Sequence, residues 1–187
     1  PDKGFFLNGE HIPLHGVNRH QDWPDKGWAI STNNMKTDVR IMREMGVNAV
    51  RLCHYQHAQS FYELCDHSGL AVWAELANVN NPPETPEGRA NAVEQLRELI
   101  RQNYNHPSIF FWSIGNETWD KPGSHAVEEL LRELAGVAKQ EDPSRVSTYA
   151  SNHGFNDPRN FIPDVIALNK YFGWYLGEFS EFGNFLD

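Results

Sequence analysis

Short apolar runs alternate along this chain with longer segments of helical period. Residues 48–55 ("NAVRLCHY"), 70–77 ("LAVWAELA"), 108–116 ("SIFFWSIGN"), 146–151 ("VSTYAS") and 164–171 ("DVIALNKY") are rich in β-branched and aromatic side chains and read as strands, as does the stretch from Leu14 to Val17. Between them the period changes to that of helices. Met35, Val39, Met42 and Met45 fall on one face, with Thr32 or Asn33 as cap and Gly46 as terminator. Residues 58–69 form a second helical segment closed by Gly69, and residues 88–104 a third with Val93, Leu96, Ile100 and Tyr104 facing inward. A fourth runs over residues 124–140, carries Val127, Leu130, Leu131, Leu134 and Ala138 as a stripe, and stops at Asp142-Pro143. Ahead of all this, Asn8-Gly9 between apolar runs is a hairpin signal, and the hairpin is expected to form a lid at the entry.

Six strands separated by helices predict βαβ units, and their near-continuous apolar character places them in a parallel sheet buried on both faces. An α/β fold of the (β/α)8 TIM barrel type fits best. A complete barrel takes about 250 residues, so the 187 residues here would hold the first six βα units as one incomplete domain over residues 1–187. An open doubly wound sheet is second choice, because no strand is followed by a Gly-rich phosphate loop.

Composition narrows the function classes. The formal net charge is −9, and no Lys/Arg-rich run exists to bind phosphates, which argues against nucleic acid as a partner. No apolar stretch approaches the roughly 18 to 20 residues of a membrane helix, and the opening residues lack the pattern of a signal peptide. Cys53 and Cys65 make no disulfide framework and leave the compartment open between cytoplasm and periplasm.

In a TIM barrel, active sites sit at the carboxyl ends of the strands. Glu117 ends the strand "IFFWSIGN", and polar residues fall at equivalent places elsewhere: His20 and Asp22, Arg51 and His54, Glu75, Asn116, Asn169 and Tyr171. A ring of carboxylate, amide, imidazole, guanidinium and phenol suits a polyhydroxylated ligand, since each sugar hydroxyl both donates and accepts. Trp23, Trp28, Trp119, Trp174 and Tyr175 lie near the same loops and offer either stacking faces or core packing.

The segments "GVNRHQD", "VRLCHYQHAQSFYELCDHSGLAVWAE", "RQNYNHPSIFFWSIGNE" and "VIALNKYFGWY" together resemble the catalytic barrel of glycoside hydrolase family 2, the family of β-galactosidases, β-glucuronidases and β-mannosidases. The resemblance spans almost the whole chain, in order. It implies a retaining exo-β-glycosidase, most like β-galactosidase, with β-glucuronidase or a non-catalytic sugar-binding barrel as alternatives. It implies Glu117 as general acid/base and His20, Asp22, Arg51, His54, Asn116 and Tyr171 as contacts to a carbohydrate substrate. Glu75 matches in type, as either a sugar contact or a buried hydrogen-bonding residue. Flanking β-sandwich domains and a homo-oligomeric full-length parent are further expectations.

Retaining cleavage needs two carboxyl groups about 5 to 5.5 Å apart, one donating a proton and one attacking the anomeric carbon. The apolar run before Glu117 and a second carboxylate nearby are expected to raise its pKa for the first role. For the second role "SEFG" at 180–183 is tempting, but Glu181 lies only ten positions beyond Tyr171, too few for a parallel crossover. Phe179, Phe182, Phe185 and Leu186 recur at three and four, so this tail reads as a helix, and the nucleophile is expected beyond Asp187. No metal or cofactor is expected. His54-x-x-His57 lacks a carboxylate at ligand spacing, and where some family members hold magnesium after the third strand, "NVNNP" at 78–82 offers no acidic or histidine ligand. Asn116-Glu117-Thr118 matches a glycosylation sequon, but its place in a barrel mouth argues against use.

Overall fold

A computed structural model describes residues 4–120 and 125–186. A two-stranded hairpin, β1 (Phe6–Leu7) and β2 (Glu10–His11), turns at Asn8-Gly9, both residues having positive φ. Six parallel strands follow in sequence order: β3 (Gly16–Arg19), β4 (Ala49–Leu52), β5 (Ala71–Glu75), β6 (Ile109–Asn116), β7 (Val146–Ser151) and β8 (Val165–Leu168). The sheet is a partial TIM barrel, with β3 and β8 as unpaired edges. Helices α1 (Thr32–Glu44), α2 (Gln59–Ser68), α3 (Pro86–Asn103) and α4 (Ala126–Glu141) connect successive strands, α1 packing on α2 and α3 on α4. A 3-10 turn (Phe179–Glu181) and the short helix α5 (Phe182–Leu186) end the described chain.

The core forms where helix stripes meet the outer face of the sheet. Leu52, Val72, Ala74, Leu96, Ile100, Ile114, Leu131 and Leu134 are buried there, the Leu, Ile and Val side chains each contributing roughly 1.5–3 kcal/mol by removal from water. Trp112 of β6 is fully buried, and its indole N–H donates to Asp142 at 2.9 Å at the end of α4. Burial alone would raise the Asp142 carboxyl, but hydrogen bonds from Ser144, Arg145 and Trp112 outweigh it and hold it well below the usual range. Among the described residues no helix is long and apolar enough to cross a membrane.

Several local expectations shift. The α1 cap is Ser31, which exchanges a capping box with Asn34; Met45 is exposed, because the helix has ended and Gly46 has turned the chain. Tyr104 also points outward, lying beneath the Arg145 guanidinium at 5.4 Å. The start of α4 expected at Ser124 lies outside the described residues. The hairpin is not a lid over the mouth. Phe5 packs edge-on against Phe110 at 4.6 Å, and Phe5 and Leu7 share a cleft with Asn48, Leu70, Ala71 and Ser108, at the amino ends of β4, β5 and β6. A hairpin joined directly to the start of β3 can reach only that bottom end.

Candidate active site

The carboxyl ends of the strands converge on a cavity of about 650 Å³ lined by Asn18 in β3 and His20 just past it, Arg51 in β4 with Cys53 and His54 just past it, Asn116 at the end of β6 with Glu117 next, and Asn169 and Tyr171 after β8. Parallel strands in register put these segments at one level, so residues far apart in sequence become neighbours.

Glu75, the last residue of β5, has no exposed surface and organises one side. Its carboxylate accepts from Arg51 Nε at 2.7 Å and Nη2 at 2.9 Å, from Trp73 Nε1 at 3.0 Å and from Ser113 Oγ at 3.2 Å. His54 Nδ1 lies 2.5 Å from Oε1. A carboxylate so fully occupied positions Arg51 and His54 and cannot itself reach a ligand. Of the two roles open from the sequence, the structure assigns the buried hydrogen-bonding one.

Arg51 Nη2 also donates to Asn116 Oδ1 at 2.7 Å, and Asn169 Nδ2 donates to the same oxygen at 3.0 Å. Because two donors claim Oδ1, the Asn116 amide is fixed with its NH2 free to donate elsewhere. Asn169 Nδ2 lies 2.6 Å from Glu117 Oε1, and the Tyr171 hydroxyl donates to that oxygen as well. Burial, and the hydrogen bond to Glu117, push the Tyr171 phenol up to about 12, so it stays a donor.

The end of β6 is bent into this position. The β6–β7 register slips between Ser113 and Asn116, and Glu117 itself has φ 48°, while its N–H is tied to Ala150 O at 2.8 Å. Gly115, at φ 157°, is pressed against Asn78, where a Cβ would lie 2.8 Å from Nδ2 and 2.9 Å from the carbonyl oxygen. Only glycine fits there. Thr118 and Asn116 are both buried, so the sequon is not at the surface.

Of the expected residues, Glu117, Asn116, Arg51, His54, His20 and Tyr171 line the cavity; Asp22 does not. It is exposed because the chain leaves β3 outward into a turn closed by Trp23 N–H to Gly27 O at 3.1 Å, with the Trp23 indole fixed to Asp38 at 3.0 Å. Trp28 packs at a tilt against Tyr55, ring centres 4.7 Å apart, and Trp174 and Tyr175 expose flat faces in an adjoining cavity of about 810 Å³ that also includes Glu117. His57 is a core histidine. Its Nδ1 lies 2.9 Å from Arg19 Nη1 and its Nε2 3.3 Å from Cys53 O, and burial, then the Arg19 charge, lower it to about 3. Both nitrogens are engaged, which removes His54-x-x-His57 as a metal pair. Sequence reasoning passed over Arg19, Cys53 and Gly115; Arg19 and Cys53 sit at strand ends, which was the available signal.

Residues 1–182 match the family model "Glycosyl hydrolases family 2, TIM barrel domain". The chain belongs to glycoside hydrolase family 2. This family 2 barrel is 48% identical over its whole length to a β-glucuronidase of Bacteroides fragilis, of which it covers 27%. It superimposes with TM-score 0.95 on the crystal structure of an FMN-binding β-glucuronidase from Facaelibacterium prausnitzii L2-6, at 41% identity over 100% of this chain and 29% of that one. A putative β-galactosidase structure from Bacteroides fragilis gives TM-score 0.91 at 38% identity, covering 98% of this chain and 27% of that one. The chain thus spans about a quarter of the length of the relatives it matches.

Proposed function

We propose that this barrel segment supplies the proton-donating side of a retaining exo-β-glycosidase that cleaves β-linked glucuronides. The observation that carries the reading is the setting of Glu117. Both its hydrogen bonds, from Asn169 and Tyr171, land on Oε1, which leaves Oε2 to carry the proton transferred to the leaving oxygen. The free NH2 of Asn116 then meets the sugar 2-hydroxyl, a contact that strengthens as charge develops at the anomeric carbon.

Glu117 is the one carboxylate among the described residues lining the cavity, so the attacking carboxylate comes from elsewhere in the full protein. Glu181 is a poor candidate: it is not among the residues lining the cavity, and its carboxylate caps its own turn, Oε2 accepting from Glu178 N–H at 2.8 Å. The 187 residues alone would therefore be inert.

For the sugar, the relatives shift the weight. The names attached to the 48% and 41% identical relatives favour glucuronide over the galactoside first inferred from the sequence. β-Galactoside hydrolysis is kept as a second reading on the 38% identical putative β-galactosidase. The test is hydrolysis of matched aryl β-glucuronide and β-galactoside by the full-length protein. Faster glucuronide cleavage supports the proposal, faster galactoside cleavage selects the second reading, and sugar binding without turnover of either would make this a binding barrel.

A further inference from the structure

We propose that His20, Cys53 and His54 form a binding site for a borderline-soft divalent cation such as zinc, placed so that the ion blocks the sugar cavity. One ring nitrogen from each imidazole and the Cys53 sulfur all lie within 4.8 Å of one another. They come from the ends of two adjacent strands, His20 just past β3 and the other two just past β4. Two imidazoles and a thiolate are the donor set Zn²⁺ accepts, and a poor one for Mg²⁺ or Ca²⁺. Tetrahedral zinc, with bonds of about 2.0 to 2.3 Å, wants neighbouring donors roughly 3.5 Å apart. Side-chain rotation, freest at exposed His20, has to close that difference.

A second feature is already in place around the cluster. His54 Nδ1 is held at 2.5 Å by buried Glu75, itself fixed by Arg51, Trp73 and Ser113. With its Nδ1 proton donated to a carboxylate, the ring has Nε2 left to serve as the ligand, the arrangement that orients metal-bound histidines. The cation displaces the thiol proton to solvent, breaking the Cys53 Sγ contact to Arg19 O at 3.4 Å. Glu75 balances the nearby Arg51 charge, so the thiolate offsets one charge of the ion.

Three protein ligands leave a fourth position for water, facing a cavity that Arg51, Asn116, Glu117 and Tyr171 share with all three ligands. An ion here competes with the sugar for space. Ion binding stands independently of the hydrolytic reading; only the blocking of turnover rests on it.

The test uses the metal-free full-length protein titrated with Co²⁺ as a spectroscopic stand-in for zinc. One equivalent should give the visible bands of four-coordinate cobalt and a near-ultraviolet thiolate-to-cobalt band, both abolished by added Zn²⁺. Cys53→Ser should remove the thiolate band, and His20→Gln, a change at an exposed side chain that does not threaten folding, should weaken binding at least about tenfold. In turnover assays Zn²⁺ should raise KM at unchanged kcat, Mg²⁺ should do nothing, and Cys53→Ser should abolish the zinc effect. A wild-type protein without the thiolate band, or a band or zinc inhibition undiminished in these variants, overturns the site. Should the protein hydrolyse neither glycoside, the cobalt spectra still decide.

Discussion

Asn169, just past β8, donates from Nδ2 to Glu117 Oε1 at 2.6 Å across 52 positions of sequence. The same NH2 reaches Asn116 Oδ1, so one amide aligns two consecutive residues at the end of β6. Removing it should leave Glu117 with Tyr171 alone. A charge-assisted hydrogen bond is worth about 1.5–3 kcal/mol, so Asn169→Ala should lower kcat/KM of the full-length enzyme by about 10- to 100-fold with little change in unfolding temperature. Equal rates in both proteins would show that the amide plays no part in placing the acid.

Glu117→Gln should cost about 10²- to 10⁴-fold on glycosides with poor leaving groups and far less on activated aryl glycosides, which depart without a proton. A paired assay with phenyl and dinitrophenyl glycosides reads this directly. Similar losses on both would remove Glu117 as proton donor.

Glu75→Leu should destabilise the full-length protein by about 3–5 kcal/mol, because it strands the Arg51 guanidinium, whose side chain is only 11% exposed, without its counter-charge. The measurement is the midpoint of denaturant unfolding. An unchanged midpoint would mean that Arg51 has another partner or can reach water.

His57 carries a pH prediction. Burial and Arg19 lower its folded value to about 3 from an unfolded value near 6.5, so between those limits the unfolded state binds more protons. Stability should therefore be complete above about pH 6.5 and fall with pH towards 3, by up to about 1.4 kcal/mol per pH unit from this group. His57→Gln should flatten that slope in unfolding curves recorded at successive pH values; an unaltered slope would assign it to the carboxylates.

Gly115→Ala should be damaging beyond its size. The new methyl would meet Asn78 atoms at 2.8 and 2.9 Å, and the bend that delivers Asn116 and Glu117 would shift. A loss of more than about 1 kcal/mol together with loss of turnover is expected; wild-type behaviour in both would show that β6 can re-form its bulge.

What the chain determined by itself follows from local periodicity. Alternating strand runs and helical stripes specify six βα units, and in a parallel sheet that alone places Glu117, Arg51 and Tyr171 at one end, since every strand runs the same way. The motif around "NHPSIFFWSIGNE" carries the family. Tertiary structure decided what depends on contacts between distant segments. The hairpin lies beneath the barrel because its tether to β3 is short, and Asp22 leaves the site because a turn pinned to Asp38 carries it outward. Glu75 is a buried hub because Arg51, His54, Trp73 and Ser113 approach it from two neighbouring strands and its own. No periodicity encodes which of two carboxylates will be surrounded by donors and which will keep an oxygen free. That is settled only when strands pair in register and bring their ends together.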